Sequence, residues 1–293
     1  MAISCSSDDS SGNNGDDGPG VNNCALSELT AGETKNFNNP CAIAVSPSGM
    51  VAVSAYNGFD IDYAILADVK VALSYEDYKA GNYVASLQAI SPEAMAFDDD
   101  DNLYIAETEG VAGITIYKKA ANNNYNYFKT IQNNFVNPRG LAIDDQNRLY
   151  MANDGTGKIL RFDDPLNSNG FEIVGNYNEG IKGVAIKGNI MYVTNFTTNY
   201  VTRSRLNDDG SLDELVGGVT VSHATDISVR GNKVIVTSYA DSSITVFSDC
   251  EFTNENKTVY NNLGKIFGTA FISDTKILAA SHDANYTMVI ELN

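Results

Sequence analysis

Short apolar runs alternate with short polar breaks along most of this chain. From Asn137 to Asp164 it reads NPRGLAIDDQNRLYMANDGTGKILRFDD, with apolar runs LAI, LYMA and ILRF split by DDQN and NDGTG. The runs carry β-branched or large apolar side chains. The breaks are built from Asp, Asn and Gly, which accept turn geometry or positive φ. No run is long enough for an ordinary helix. The pattern predicts three antiparallel strands joined by tight turns.

The same order recurs from Cys41, Glu93, Arg139, Lys182, Thr225 and Phe267, at offsets of 52, 46, 43, 43 and 42 residues. A strand unit repeating at about 40–45 residues marks propeller blades. One unit cannot bury both faces of its sheet, whereas a ring of units can. FEIVGNYN, SLDELVGGVT and NKTVYNN fit the place of a fourth, outer strand. The last unit lacks one, because YTMVIELN reaches the final residue. The segment Ala25–Phe37, before the first unit, is the natural donor and would leave no exposed inner edge. The expectation is an all-β, six-bladed β-propeller over residues 24–293, its last blade closed by the N-terminal strand. Residues 1–23 are Ser, Asp, Gly and Asn with almost nothing to bury, and read as a disordered tether.

Two stretches depart from the pattern. LSYEDYKAGNY (Leu73–Tyr83) is a helical candidate inserted in the first blade, an interaction element or a decorated loop. The acidic run Asp98–Asn102 invites a calcium reading but lacks the Gly and distal Glu of an EF-hand loop, so a turn explains it better.

Charge narrows the partners. Thirty-seven acids against 19 bases give a net charge of −18, which opposes nucleic acid and anionic lipid surfaces. No apolar stretch approaches the roughly 18 residues that span a bilayer. The four cysteines form no CxxC pair, so a zinc site is not indicated. Chain direction favours a Cys24–Cys250 disulfide, with Cys24–Cys41 as runner-up.

Aligning the units places rings of equivalent residues at one mouth of the channel. Glu93, Arg139 and Lys182 begin first strands; Glu107, Asn153 and Asn195 end second strands; Tyr56, Asp154, Tyr239 and His282 come one residue later. Half of this mouth is charged and half, with Phe267, is aromatic. A sugar or peptide with a polar end would suit it. The plain alternative is that Glu93–Arg139 and Asp154–Lys182 pair across blades. With two His and no HxxxH or HxH spacing, no catalytic set stands out.

The passage NPRGLAIDDQNRLYMANDGTGKILRF resembles an NHL repeat, and IMYVTNFTTNYVTRSRLNDDGSL resembles the YVTN-type propeller repeat. The likeness runs from about Ala25 to Asn293 and implies a propeller used as a scaffold or binder, or as a metal-assisted lactonase or lyase. In the enzyme alternative a divalent cation would take Glu107, Asn153, Asn195 and Asp154; in the binding reading no cofactor is required. Ala2-Ile3-Ser4-Cys5 resembles the end of a bacterial lipobox, as though the chain were trimmed just before the cleavage site. Ser7-Asp8-Asp9 after it resembles the export signal of Bacteroidota-type surface lipoproteins. The resemblance implies lipidation at Cys5, a place on the outer membrane and cell surface held only by a lipid anchor, and partnership with an outer-membrane protein complex.

Overall fold

A computed structural model describes residues 32–56, 66–110, 112–252 and 257–292. Cys5, Cys24 and the proposed tether lie outside the described residues. The chain enters through strand β1 (Thr34–Asn36). Blade one is β2 (Pro40–Val45), β3 (Val51–Ala55), β4 (Leu66–Ala72) and β5 (Tyr83–Ile90), with helix α1 (Tyr75–Ala80) between the last two. Blade two is β6 (Pro92–Phe97), β7 (Leu103–Glu107), β8 (Gly113–Lys119) and β9 (Tyr125–Ile131). Blade three is β10 (Pro138–Ile143), β11 (Leu149–Asn153), β12 (Lys158–Phe162) and β13 (Glu172–Asn176). Blade four is β14 (Ile181–Lys187), β15 (Ile190–Asn195), β16 (Tyr200–Leu206) and β17 (Leu212–Thr220). Blade five is β18 (Ala224–Arg230), β19 (Lys233–Ser238), β20 (Ser243–Phe247) and β21 (Lys257–Tyr260). Blade six holds β22 (Ile266–Ser273), β23 (Lys276–Ser281) and β24 (Tyr286–Glu291).

The described residues thus form six four-stranded antiparallel sheets, the expected six-bladed propeller. The sixth sheet runs β22-β23-β24-β1. Thr34 faces Met288, Lys35 faces Thr287 and Asn36 faces Tyr286, so the N-terminal strand completes the last blade as expected. The first strands of all six blades line one central channel.

The turns follow from side-chain chemistry. In blade two, Asp98 Oδ1 accepts from the Asp100 and Asn102 amides at 3.1 and 2.8 Å, and Oδ2 accepts from the Tyr104 hydroxyl at 3.0 Å. Blade three repeats the device: Asp144 Oδ1 accepts from the Gln146 and Arg148 amides, and Oδ2 accepts from the Tyr150 hydroxyl. The acid of each break ties its own turn down. This is the turn reading of the Asp98–Asn102 run.

First strands approach one another closely. A Cβ on Gly140 would lie 2.4 Å from the Lys182 carbonyl oxygen, and one on Gly268 would lie 2.6 Å from that of Cys41. Only hydrogen fits between those backbones. A register shift follows the first pair of residues in every first strand, as between Pro138 and Leu141. The bulge re-aims side chains at the channel mouth.

Burial explains why no blade stands alone. Six apolar clusters lie between consecutive blades, and the last joins Ala270, Leu278 and Val289 of blade six to Val51, Val53 and Tyr78 of blade one. Each blade needs two neighbours to cover both faces, and only a closed ring provides them.

Helix α1 matches the helical candidate, and its job is specific. Ser74 caps it, its Oγ accepting from the Asp77 amide at 3.1 Å, and Gly81 ends it in the left-handed region at φ 80. Tyr78 is fully buried, and its hydroxyl meets Thr287 Oγ1 of β24 at 2.9 Å. Lys79 pairs with Glu33, and Lys35 donates to the Lys79 carbonyl at 3.1 Å. The insertion therefore clamps both β1 and β24 at the seam of the ring.

Candidate functional site

The mouth where first strands begin and second strands end gathers the charged residues as expected. Glu93 and Arg139 form an ion pair across blades two and three. Arg139 Nε lies 3.2 Å from Asp154 Oδ2, and Lys182 Nζ lies 2.9 Å from the same oxygen. Asp154 Oδ1 accepts from the Gly180 amide at 2.8 Å. Burial alone would lower the Arg139 pKa, but Glu93 and Asp154 hold it above its ordinary value. Both cross-blade pairs are formed, so two acids and two bases cancel within one quartet.

The aromatic half is also present. Phe267 packs against Tyr239 at 4.4 Å between ring centroids, His282 at 5.0 Å and Tyr56 at 6.2 Å. Burial, then the charges of Glu93 and Glu109, push the Tyr56 phenol up to about 12, so it stays a neutral donor. Phe196 continues the arc through a 5.0 Å contact with His223. Two lysines already stand over arc rings: Lys265 over Tyr239 at 5.2 Å and Lys182 over Phe196 at 5.8 Å. His282 Nδ1 is buried with no hydrogen-bond partner among the described residues.

Glu107, Asn153 and Asn195 have a different task. Glu107 accepts from the Ile90 amide at 2.7 Å and from the Thr115 hydroxyl, and burial raises its pKa. Asn153 Oδ1 accepts from the Val136 amide at 2.8 Å. Asn195 Oδ1 accepts from the Thr198 amide at 2.8 Å, while Nδ2 donates to the Asn178 carbonyl at 3.1 Å. Ser238 and Ser281 donate to the Ser222 and Leu263 carbonyls at the same place in blades five and six. In blades two to six the position fastens the blade to the connection arriving from the blade before. Glu107, Asn153 and Asn195 are not among the residues that line the channel, as Glu93, Arg139 and Lys182 are. Among the described residues no cluster of three His, Cys, Asp or Glu side chains has metal-holding geometry.

Cys250 places its sulfur 3.3 Å from Lys187 Nζ, and its expected disulfide partner Cys24 falls outside the described residues. Cys41 is a fully buried thiol whose pKa is raised by burial and then by Glu93.

Inside the mouth lies a channel of about 590 Å³. Asp226 lines it, one residue beyond Thr225. The aligned positions on the other first strands are Ala42, Ala94, Gly140, Gly183 and Gly268. Asp226 Oδ2 accepts from the Thr269 amide at 2.9 Å, and the Ile227 amide also donates to the carboxylate. Burial pushes its pKa up from 3.8 to about 6. Sequence reasoning overlooked this residue. The signal was present as one acid in a column of Ala and Gly.

No protein-family model matches the sequence, and no curated protein matches it either. Solved structures do match in fold. A protein of unknown function from Bacteroides thetaiotaomicron has a TM-score of 0.64 at 10% identity, covering 88% of this chain and 70% of that one. A streptogramin B lyase has a TM-score of 0.60 at 11% identity, covering 90% of this chain and 99% of that one. A chain of the nidogen/laminin complex has a TM-score of 0.61 at 10% identity, covering 84% and 88%. At such identities the likeness establishes architecture, and the protein is a six-bladed β-propeller with propeller-type structural neighbours.

Proposed function

We propose that the protein is a ligand-binding propeller, held at the outer membrane and cell surface by a lipid on Cys5. Its site is the channel mouth, where it takes a sugar or peptide or docks a segment of an outer-membrane partner. One observation carries the binding reading: a charge-balanced quartet stands beside an arc of half-buried rings over an open channel. Aromatic faces beside fixed polar groups are the ordinary chemistry of small-ligand sites. The lactonase or lyase alternative is weakened because the oxygens of Glu107 and Asn153 already serve the connections between blades and that of Asn195 its own turn.

A thermal-shift panel of neutral oligosaccharides and short peptides tests the site. At least one class should raise the melting temperature of the wild type and leave a Phe267→Ala/Tyr239→Ala variant unmoved. Tyr127→Ser, on the exposed outer strand of blade two, should respond as wild type does. Loss of the response at the rim but not at the mouth would overturn the reading. The anchor has its own readout. Cys5→Ala should move the protein from the membrane fraction to the soluble fraction, and unchanged fractionation would refute lipidation there.

A further inference from the structure

The interior of the channel has an unbalanced charge. Its mouth quartet is neutral, Arg230 on the same wall pairs with Asp274, and no ion pair to Asp226 is formed among the described residues. Asp226 is held by two backbone amides, from Thr269 and Ile227. Dipoles of that kind stabilise an anion only in part, so a carboxylate taken out of bulk water seeks a counter-charge. The aligned Ala and Gly positions on the other first strands carry no charge that could balance it. Phe267, the centre of the aromatic arc, lies on β22, the strand that supplies the Thr269 amide, and lines the same channel as Asp226.

Ring faces attract cations, and the arc already does so with Lys265 and Lys182. A hydrated divalent ion would want several oxygen ligands, and Asp226 is a single carboxylate. An organic ammonium wants a carboxylate and aromatic faces, which is what the site holds. The protein's overall charge of −18 further concentrates cations around it.

We infer that the channel receives an organic ammonium group, guided over the arc of Tyr239, Phe267, His282 and Tyr56 and held by the carboxylate of Asp226. The ligand, small molecule or peptide, thus presents a lysine-like or choline-like end. This rests on the mouth being the binding site and adds the chemistry of what enters it.

The test is thermal unfolding of the full chain at pH 7.5 with n-butylammonium chloride. Sodium chloride, n-butanol, sodium butyrate and calcium chloride serve as controls. Butylammonium should raise the wild-type melting temperature, since a ligand bound only by the folded state stabilises it. Sodium chloride, butanol and butyrate should not. Asp226→Asn, compared with its own ligand-free melting temperature, should lose the response. Tyr239→Leu should weaken the apparent affinity about threefold, the share expected of one cation–π contact. An equal response in Asp226→Asn, or a larger one to butyrate, overturns the inference. So does a larger response to calcium, which would make this a metal site. If the sugar and peptide panel succeeds while butylammonium fails, only the ammonium assignment falls. If the panel fails while an Asp226-dependent ammonium response stands, the sugar and peptide assignment falls instead.

Discussion

Replacing Tyr78 by alanine is expected to destabilise the fold by about 4 kcal/mol, in the range of aromatic truncations in a packed core. The ring is wholly buried between blade one and the closing strand pair. It sits 6.5 Å from the Phe37 ring and 6.1 Å from the Tyr83 ring, so truncation opens a cavity at the seam. It also strands the Thr287 hydroxyl, which is 1% exposed. Tyr78→Phe keeps the packing and removes only that hydrogen bond, at about 1 kcal/mol. Denaturant midpoints for the two variants separate the contributions. A Tyr78→Ala protein within 1 kcal/mol of wild type would mean that α1 is only a decorated loop.

Asp226→Asn should act in the opposite direction and stabilise the ligand-free protein at pH 7.5. The rise from 3.8 to about 6 corresponds to roughly 3 kcal/mol at most, less where channel water reaches the carboxylate. The sign follows from proton counting. Between pH 3.8 and about 6 the folded state holds this proton more firmly than the unfolded chain does. Stability attributable to Asp226 is therefore present in full below that window and declines as pH rises through it. The other charged groups lining the same channel, Glu93, Arg139, Lys182 and Arg230, are present in both proteins, so their own titration is common to the two curves. The gap between variant and wild type should open from near zero at about pH 3 to its full size at pH 7.5. Parallel pH curves for the two proteins would show that burial does not penalise this carboxylate.

The repeat exposed more of this molecule than its composition did. Turn residues such as Asp98 and Asp144 mark the strand ends because each acid hydrogen-bonds within its own turn, a local matter. The quartet and the arc followed from aligning units, because equivalent positions in a ring face a common axis. Glu107, Asn153 and Asn195 share that alignment, yet their side chains reach the connections between blades through Ile90, Val136 and Asn178, backbone partners that no spacing of the apolar pattern records. The clamp made by α1 was equally hidden, since Tyr78 and Thr287 are 209 residues apart in sequence. Asp226 is harder to read from sequence because it lies one residue inside the mouth, where the aligned positions are Ala and Gly.

Pairing Thr34 with Met288 also sets a timetable for folding. During synthesis the segment destined for the seam emerges first but has nothing to dock on until the ribosome has made the partner 254 residues later (288 − 34). Bringing such distant points together costs an open chain about 5 kcal/mol in loop entropy, so the preceding blades must stack beforehand and shorten the effective gap. Until they do, β24 presents a bare edge capable of recruiting a strand from a neighbouring nascent chain. Chaperone demand and aggregation should therefore peak as β24 leaves the ribosome.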